Sequence, residues 1–144
     1  MIYEFVVSGK PQGKGRPRIT TRGKFAHAYT PKATVEYEQH IRESFECVYG
    51  KPSKLSEAPI TMVIDMRFGI PTGTSKANKE LMLEDKILPT KRSDLDNCIK
   101  AVADALQNYL YKDDAQIIRL SARKMYALEP SVRVVVITHE LFHV

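Results

Sequence analysis

Ser93–Gln116 reads SDLDNCIKAVADALQNYLYKDDAQ, and this stretch decides how the chain is organised. Leu95, Ile99, Val102, Ala103, Leu106 and Leu110 form one apolar stripe at period 3.6, which predicts a helix from about Asp94 to Tyr109. Asp94 and Asp96 lie two apart at its start, where carboxylates interact favourably with the helix dipole. Lys100 follows Asp96 by four residues and shares its face one turn on. Asp96 and Lys100 border the stripe, so both are expected at the edge of the core rather than in open solvent. Asp113 and Asp114 follow the helix and directly precede a strand, a position from which a carboxylate can fold back toward the helix start.

Working outward, residues 116–126 and 132–138 read as strands, with a hairpin turn at Ala127–Ser131 containing Pro130. Upstream, residues 59–69 alternate. Ile60, Met62, Ile64, Met66 and Phe68 take one face and Thr61, Asp65 and Arg67 the other, the mark of a half-buried strand. A polar stretch around Ser75–Lys86 suits a short helix. Thr30 as N-cap and Pro31 at the first helical position open another helix. It carries Val35, Ile41, Phe45 and Val48 and stops near Tyr49 at Gly50 and Pro52. Residues 2–7, IYEFVV, read as a strand. The expected fold class is α+β, a single domain over residues 1–144 with a mixed, roughly four-stranded sheet packed with α-helices.

Composition agrees with one globular domain. Of 144 residues, 43% are apolar and 27% charged, enough for a real core. No window approaches the roughly 18 apolar residues of a membrane span, and no signal-peptide pattern opens the chain. Cys47 and Cys98 are too few and too far apart for a disulfide scaffold or a zinc cluster, so a reducing cytoplasm is the expected compartment. The net charge of +5 is unevenly spread. Residues 1–32 hold Lys10, Lys14, Arg16, Arg18, Arg22, Lys24 and Lys32 against Glu4 alone, leaving the rest of the chain near neutral. Gly9, Pro11, Gly13, Gly15 and Pro17 interleave with these charges and rule out a helix there. A cationic arm on a neutral body points to a polyanion, most plausibly nucleic acid; a solvated surface loop is the plainer reading.

The aspartates carry the chemistry. Mg²⁺ takes oxygen ligands, typically one or two carboxylates completed by water and substrate phosphate, and Asp94, Asp96 and Asp114 would supply such a site. The metal would activate a bound water, and Lys100 would place a fixed positive charge near the scissile phosphate. A helix cap, an i,i+4 surface pair and an ordinary Asp-Asp turn satisfy the same spacing, and spacing alone does not choose.

Two segments together resemble the RusA family of Holliday junction resolvases, in its phage and prophage branch. They are GKPQGKGRPR (Gly9–Arg18), followed by the threonine, proline and lysine of Thr30–Lys32, and DLDNCIKAVADALQNYLYKDDAQI (Asp94–Ile117). The resemblance spans residues 2–137, and the D-x-D-N-x-x-K helix followed by D-D-x-Q carries its specificity. It implies a homodimeric, Mg²⁺-dependent endodeoxyribonuclease, with Mn²⁺ as a substitute, that nicks four-way DNA junctions symmetrically in recombination and repair. The catalytic aspartates would fall on Asp94, Asp96 and Asp114 and the essential lysine on Lys100, with Asp113 a supporting or structural residue. Lys14, Arg16 and Arg18 would contact DNA, with Lys91, Arg92 and Lys124 as weaker candidates. Cys98 stands where the family usually has an aliphatic residue and reads as a small buried hydrophobe.

His27, His40, His139 and His143 show no metal-ligand spacing and read as structural or surface residues, His27 being the nearest to a DNA contact. Tyr29, Tyr109, Tyr111 and Tyr126 read as core or rim packing before base stacking. No phosphate-binding loop or dinucleotide fingerprint appears, so no nucleotide cofactor is expected. Two other functions stay open: a non-catalytic DNA-binding protein, and a nuclease of the same chemistry acting on flaps or forks.

Overall fold

The computed structural model describes residues 1–21, 23, 25–91 and 93–141. Its strands are β1 (Ile2–Ser8), β2 (Arg18–Thr20), β3 (His27–Tyr29), β4 (Ile60–Gly69), β5 (Ile117–Ala127) and β6 (Ser131–Thr138). The helices are α1 (Lys32–Tyr49), α2 (Lys76–Leu83) and α3 (Leu95–Leu106). The class is the expected one, α+β with a mixed four-stranded sheet in the order β1-β6-β4-β5, and β2 and β3 form a separate small hairpin.

The alternation in β4 does what it predicts. Ile60, Met62, Ile64, Met66 and Phe68 are all buried on the helix-covered face, alongside Val132, Val134 and Val136 of β6 and Phe5 and Val7 of β1. The closing pair of strands does not form the expected hairpin. β4 lies between β5 and β6, parallel to the first and antiparallel to the second. An apolar strand buried along its length is most stable with a ladder on each edge. The step across β4 covers two strand spacings, about 10 Å. Leu128–Pro130 supplies it by passing over the end of β4, where Pro130 Cδ stands 3.8 Å from where a Cβ on Gly69 would be. Parallel pairing of β4 with β5 needs a long crossover, and residues 70–116 provide it with α2 and α3.

Two helix readings also shift. Pro31, not Thr30, occupies the N-cap of α1, while Gly50 ends it at φ 74° as expected. The buried face of α1 is Thr34, Tyr37, Ile41 and Phe45, whereas Val35 and Val48 point outward. A short list of hydrophobes fits several helical stripes, so Val35 and Val48 match the period without lying on the buried face. In α3 the buried residues are Cys98, Ala101, Val102, Ala103, Ala105 and Leu106, and Leu95 is exposed. The alanines let α1 and α3 approach closely. Phe45 sits within an aromatic cluster, its ring centre 5.3 Å from Tyr3, 5.6 Å from Phe5 and 5.9 Å from Tyr109.

On the opposite sheet face Asp65 is only 4% exposed. Arg123 Nε donates to its Oδ1 at 2.8 Å and Arg133 Nη1 to its Oδ2 at 3.2 Å. Burial pushes the Asp65 carboxyl up, but the two guanidiniums outweigh it and hold the carboxyl below its usual range. A carboxyl depressed on folding stabilises the protein above its unfolded value, near pH 4, and that contribution is lost as pH falls through the folded value. Asp65→Asn should therefore lower the melting temperature at pH 7 and flatten its acid-side decline below about pH 4. Melting curves of the two proteins from pH 7 to pH 2 check this, and parallel declines would refute it.

Candidate active site

Four side chains of the site come from the two ends of Ser93–Gln116. Asp94 is the N-cap of α3, yet among the described residues its carboxylate makes no capping hydrogen bond. Among the described residues, Asp96 accepts only the adjacent Asn97 N–H, at 2.9 Å. Asp94, Asp96 and Lys100 are exposed, which corrects the expectation that Asp96 and Lys100 face the core edge. The stripe that is buried is rotated toward Cys98 and Ala105, and this leaves the DxD face open.

Asp114 arrives from the far end of the stretch. Tyr111 is fully buried and its hydroxyl donates to the Ala103 carbonyl at 2.6 Å, pinning the chain back onto α3. Asp113 then caps a short 3₁₀ turn, Asp114–Gln116, by accepting the Ala115 N–H at 3.0 Å. Gln116 completes the turn with four bonds. It accepts from Lys112 N–H and Asp113 N–H and donates to the carbonyls of Ser56 and Ala58. Asp113 thus has a structural part, and Gln116, the last residue of the D-D-x-Q motif, is the support of the turn. The outcome is that Lys100 Nζ lies 3.4 Å from Asp114 Oδ2.

Lys100 has a second partner. Asp104, one turn further along α3, meets it through Oδ1 at 3.0 Å, and the other carboxylate oxygen of Asp104 takes Lys14. Lys14 also lies 3.3 Å from Glu38 of α1. Burial pushes the Asp104 carboxyl up, but the two lysines hold it below the usual range. Lys14, expected at DNA, is therefore ion-paired inside the protein. The backbone around it is packed: Lys14 N–H donates to the Asn97 carbonyl at 3.0 Å and Gly15 N–H to Thr34 Oγ1 at 3.0 Å. A Cβ on Gly15 would stand 2.6 Å from that hydroxyl, so only glycine passes here.

The other expected DNA contacts separate by environment. Arg16, Arg18 and Lys91 are exposed. Lys124 is half-buried, donates to the Lys91 carbonyl at 2.7 Å and lies over the Phe68 ring. Arg92, Arg22, Lys24 and His143 lie outside the described residues. Cys98 is buried, and burial raises its thiol, as suits a packing residue. Tyr109 donates to Glu46 and packs at the rim, Tyr111 is core, and Tyr29 remains exposed. His40 and His139 bond to Ser8 and Thr61, in keeping with a structural reading.

Asp94, Asp96 and Asp114 offer hard oxygen donors, and the Asp94 carboxylate is not consumed by capping, so the donor chemistry fits a hard cation. Among the described residues, however, no three His, Cys, Asp or Glu side chains are gathered into a metal cage. Asp114 is turned to Lys100 instead. Carboxylates repel one another and an ammonium attracts them, so the arrangement is the electrostatically expected one for these side chains alone.

Residues 8–137 match the family model described as endodeoxyribonuclease RusA. The chain belongs to the RusA endodeoxyribonuclease family. Membership implies an endonuclease of the Holliday junction resolvase type, and family nucleases generally use a divalent metal. The chain is also 31% identical over 135 residues to "Uncharacterized protein YqaN" of Bacillus subtilis (strain 168), covering 92% of this chain and 94% of that one. No helix among the described residues is long and apolar enough to cross a membrane.

Proposed function

We propose that this RusA-family chain resolves four-way DNA junctions by Mg²⁺-dependent phosphodiester hydrolysis, acting as a homodimer. The observation that carries the reading is the meeting of Lys100 with Asp114, which brings the two ends of Ser93–Gln116 together. A helix cap and an ordinary turn have no need of that contact. Asp94, Asp96 and Asp114 would hold the ion, which when bound supplies water activation and neutralises charge on the phosphate. Lys100 presents an ammonium to the phosphodiester, and Asp114 and Asp104 keep that ammonium in place. A four-way junction has near two-fold symmetry, so paired nicks call for two equivalent sites related by a dimer axis.

The test incubates a synthetic four-way junction, a nicked duplex and a fork with the protein in Mg²⁺ and in chelator. Paired, symmetric nicks on the junction in Mg²⁺ alone are expected. Preferential single nicks on the fork would replace this reading with that of a fork nuclease, and binding without cleavage would replace it with that of a DNA-binding protein.

Arg16 and Arg18 are exposed in the arm, which supports a phosphate contact from each. Each phosphate neutralised contributes about −0.9 to the slope of log affinity against log salt, so Arg16→Ala with Arg18→Ala should make that slope shallower by about 2. Junction binding in chelator across a salt series checks this. An unchanged slope would return the arm to the solvated-loop reading.

A further inference from the structure

We propose that Asp104 is a positioning residue that clamps Lys100 on one oxygen and Lys14 on the other, coupling the docking of the glycine-rich segment to the orientation of Lys100. The inference rests on the reading of Lys100 as part of the nuclease site. Lys100 is itself 54% exposed, and an isolated surface i,i+4 pair is too weak to hold a long side chain in one rotamer. Asp104 differs from such a partner. Its side chain is 16% exposed, it sits in the last turn of α3 between the buried Ala103 and Ala105, and both its oxygens are engaged. It is a half-buried anchor for an exposed lysine.

The second oxygen extends the anchor to the arm. Lys14 grips α3 twice, through its N–H on the Asn97 carbonyl and its ammonium on Asp104, two turns apart on one face. Gly13 allows that approach, since a Cβ there would stand 3.1 Å from Asn97 Cβ. Glu38 of α1 braces the same ammonium at 3.3 Å. Undocking the segment strips Asp104 of a counter-charge and draws Lys100 toward it, away from Asp114. Docking shares the Asp104 charge between two lysines and leaves Lys100 poised between Asp104 and Asp114. Arg16 and Arg18 follow Lys14 directly, so DNA held by the arm is in register with a set Lys100.

The experiment compares wild type, Asp104→Asn, Lys14→Met and the double variant. On DNA-free protein, amine-labelling rates of Lys100 and hydrogen exchange at the Lys14 amide are read by mass spectrometry. Asp104→Asn is near-isosteric and should raise both several-fold. Lys14→Met, which leaves the Asp104 charge to Lys100 alone, should instead lower Lys100 labelling, by about twofold, although Lys14 does not touch Lys100. In single-turnover junction cleavage with Mg²⁺, Asp104→Asn should be slower by about 10- to 100-fold with junction affinity in chelator within about threefold. Asp104→Glu, which keeps the charge, should recover part of that loss. The double variant should cut no more slowly than Asp104→Asn alone. Unchanged Lys100 labelling in Asp104→Asn overturns the clamp whether or not the protein cuts DNA, and losses that multiply in the double variant overturn the coupling. A wild type that cuts nothing while labelling responds as expected removes the nuclease reading and leaves the clamp standing.

Discussion

Lys100→Met should lower the single-turnover rate of junction cleavage by roughly 10²- to 10³-fold, the loss seen when one preorganised charge or donor is removed from a transition state. Methionine keeps most of the aliphatic stem and deletes the ammonium. Stability should change by less than about 1 kcal/mol, because Lys100 is exposed and its pairs are surface pairs, and Asp104 keeps Lys14 as a partner. Binding should weaken only slightly. The slope of log affinity against log salt shifts by at most about 1 for one cation. Lys100→Arg makes the sharper control. It retains the charge, so affinity and slope should match wild type, but a planar guanidinium does not take the place of a compact ammonium between two carboxylates. Cleavage by Lys100→Arg should stay well below wild type. Full activity in Lys100→Met would remove the lysine from the site and leave Asp104 with a purely structural part.

The helix that carries these residues was legible because its signal is local. An apolar stripe at helical period, an aspartate N-cap and an i,i+4 lysine all fall within one stretch, and α3 follows them to within a few residues. The alternation of β4 was legible for the same reason. Strand order was not. Three residues between β5 and β6 read as a hairpin loop, and only the need of β4 for two neighbours places it between them. That need is a property of the assembled sheet.

The site divides along the same line. Asp94, Asp96, Lys100 and Asp114 stand out by spacing and by family resemblance. Asp104 carried a local signal, an aspartate one turn beyond Lys100 and flanked by alanines that the core buries. Its meaning depends on Lys14, which is 90 residues away in the chain. Lys14 in turn was indistinguishable from the other cations of its charge run. What separates it from Arg16 is packing: Gly13 and Gly15 bring its backbone against α3 and α1, while Arg16 remains exposed. A run of like charge tells of a field, and only the fold tells which of its members have been neutralised.

On the proposed reading, Asp94→Asn should reduce cleavage by about 10³-fold or more, because a bound cation would lose a charged ligand and with it part of its capacity to activate water. The structure sharpens what else should happen. Among the described residues the Asp94 side chain makes no capping hydrogen bond, so its carboxylate contributes to α3 through the helix dipole alone. Asparagine caps about as well as aspartate, and the melting temperature should therefore move by no more than a few degrees. Junction affinity in chelator should hold or rise. The carboxylate is exposed at the face that would meet a phosphate, and removing it removes a repulsion. Raising Mg²⁺ should recover part of the lost rate if the remaining ligands still bind the ion more weakly, a response that a folding defect would not give. A protein whose carboxylates only cap a helix and close a turn predicts none of this: there is no rate to lose, no metal response, and at most a small change in stability. Rate, affinity in chelator and melting temperature measured on one purified variant separate the two cases, and wild-type cleavage by Asp94→Asn would refute the assignment of the site whatever the family resemblance.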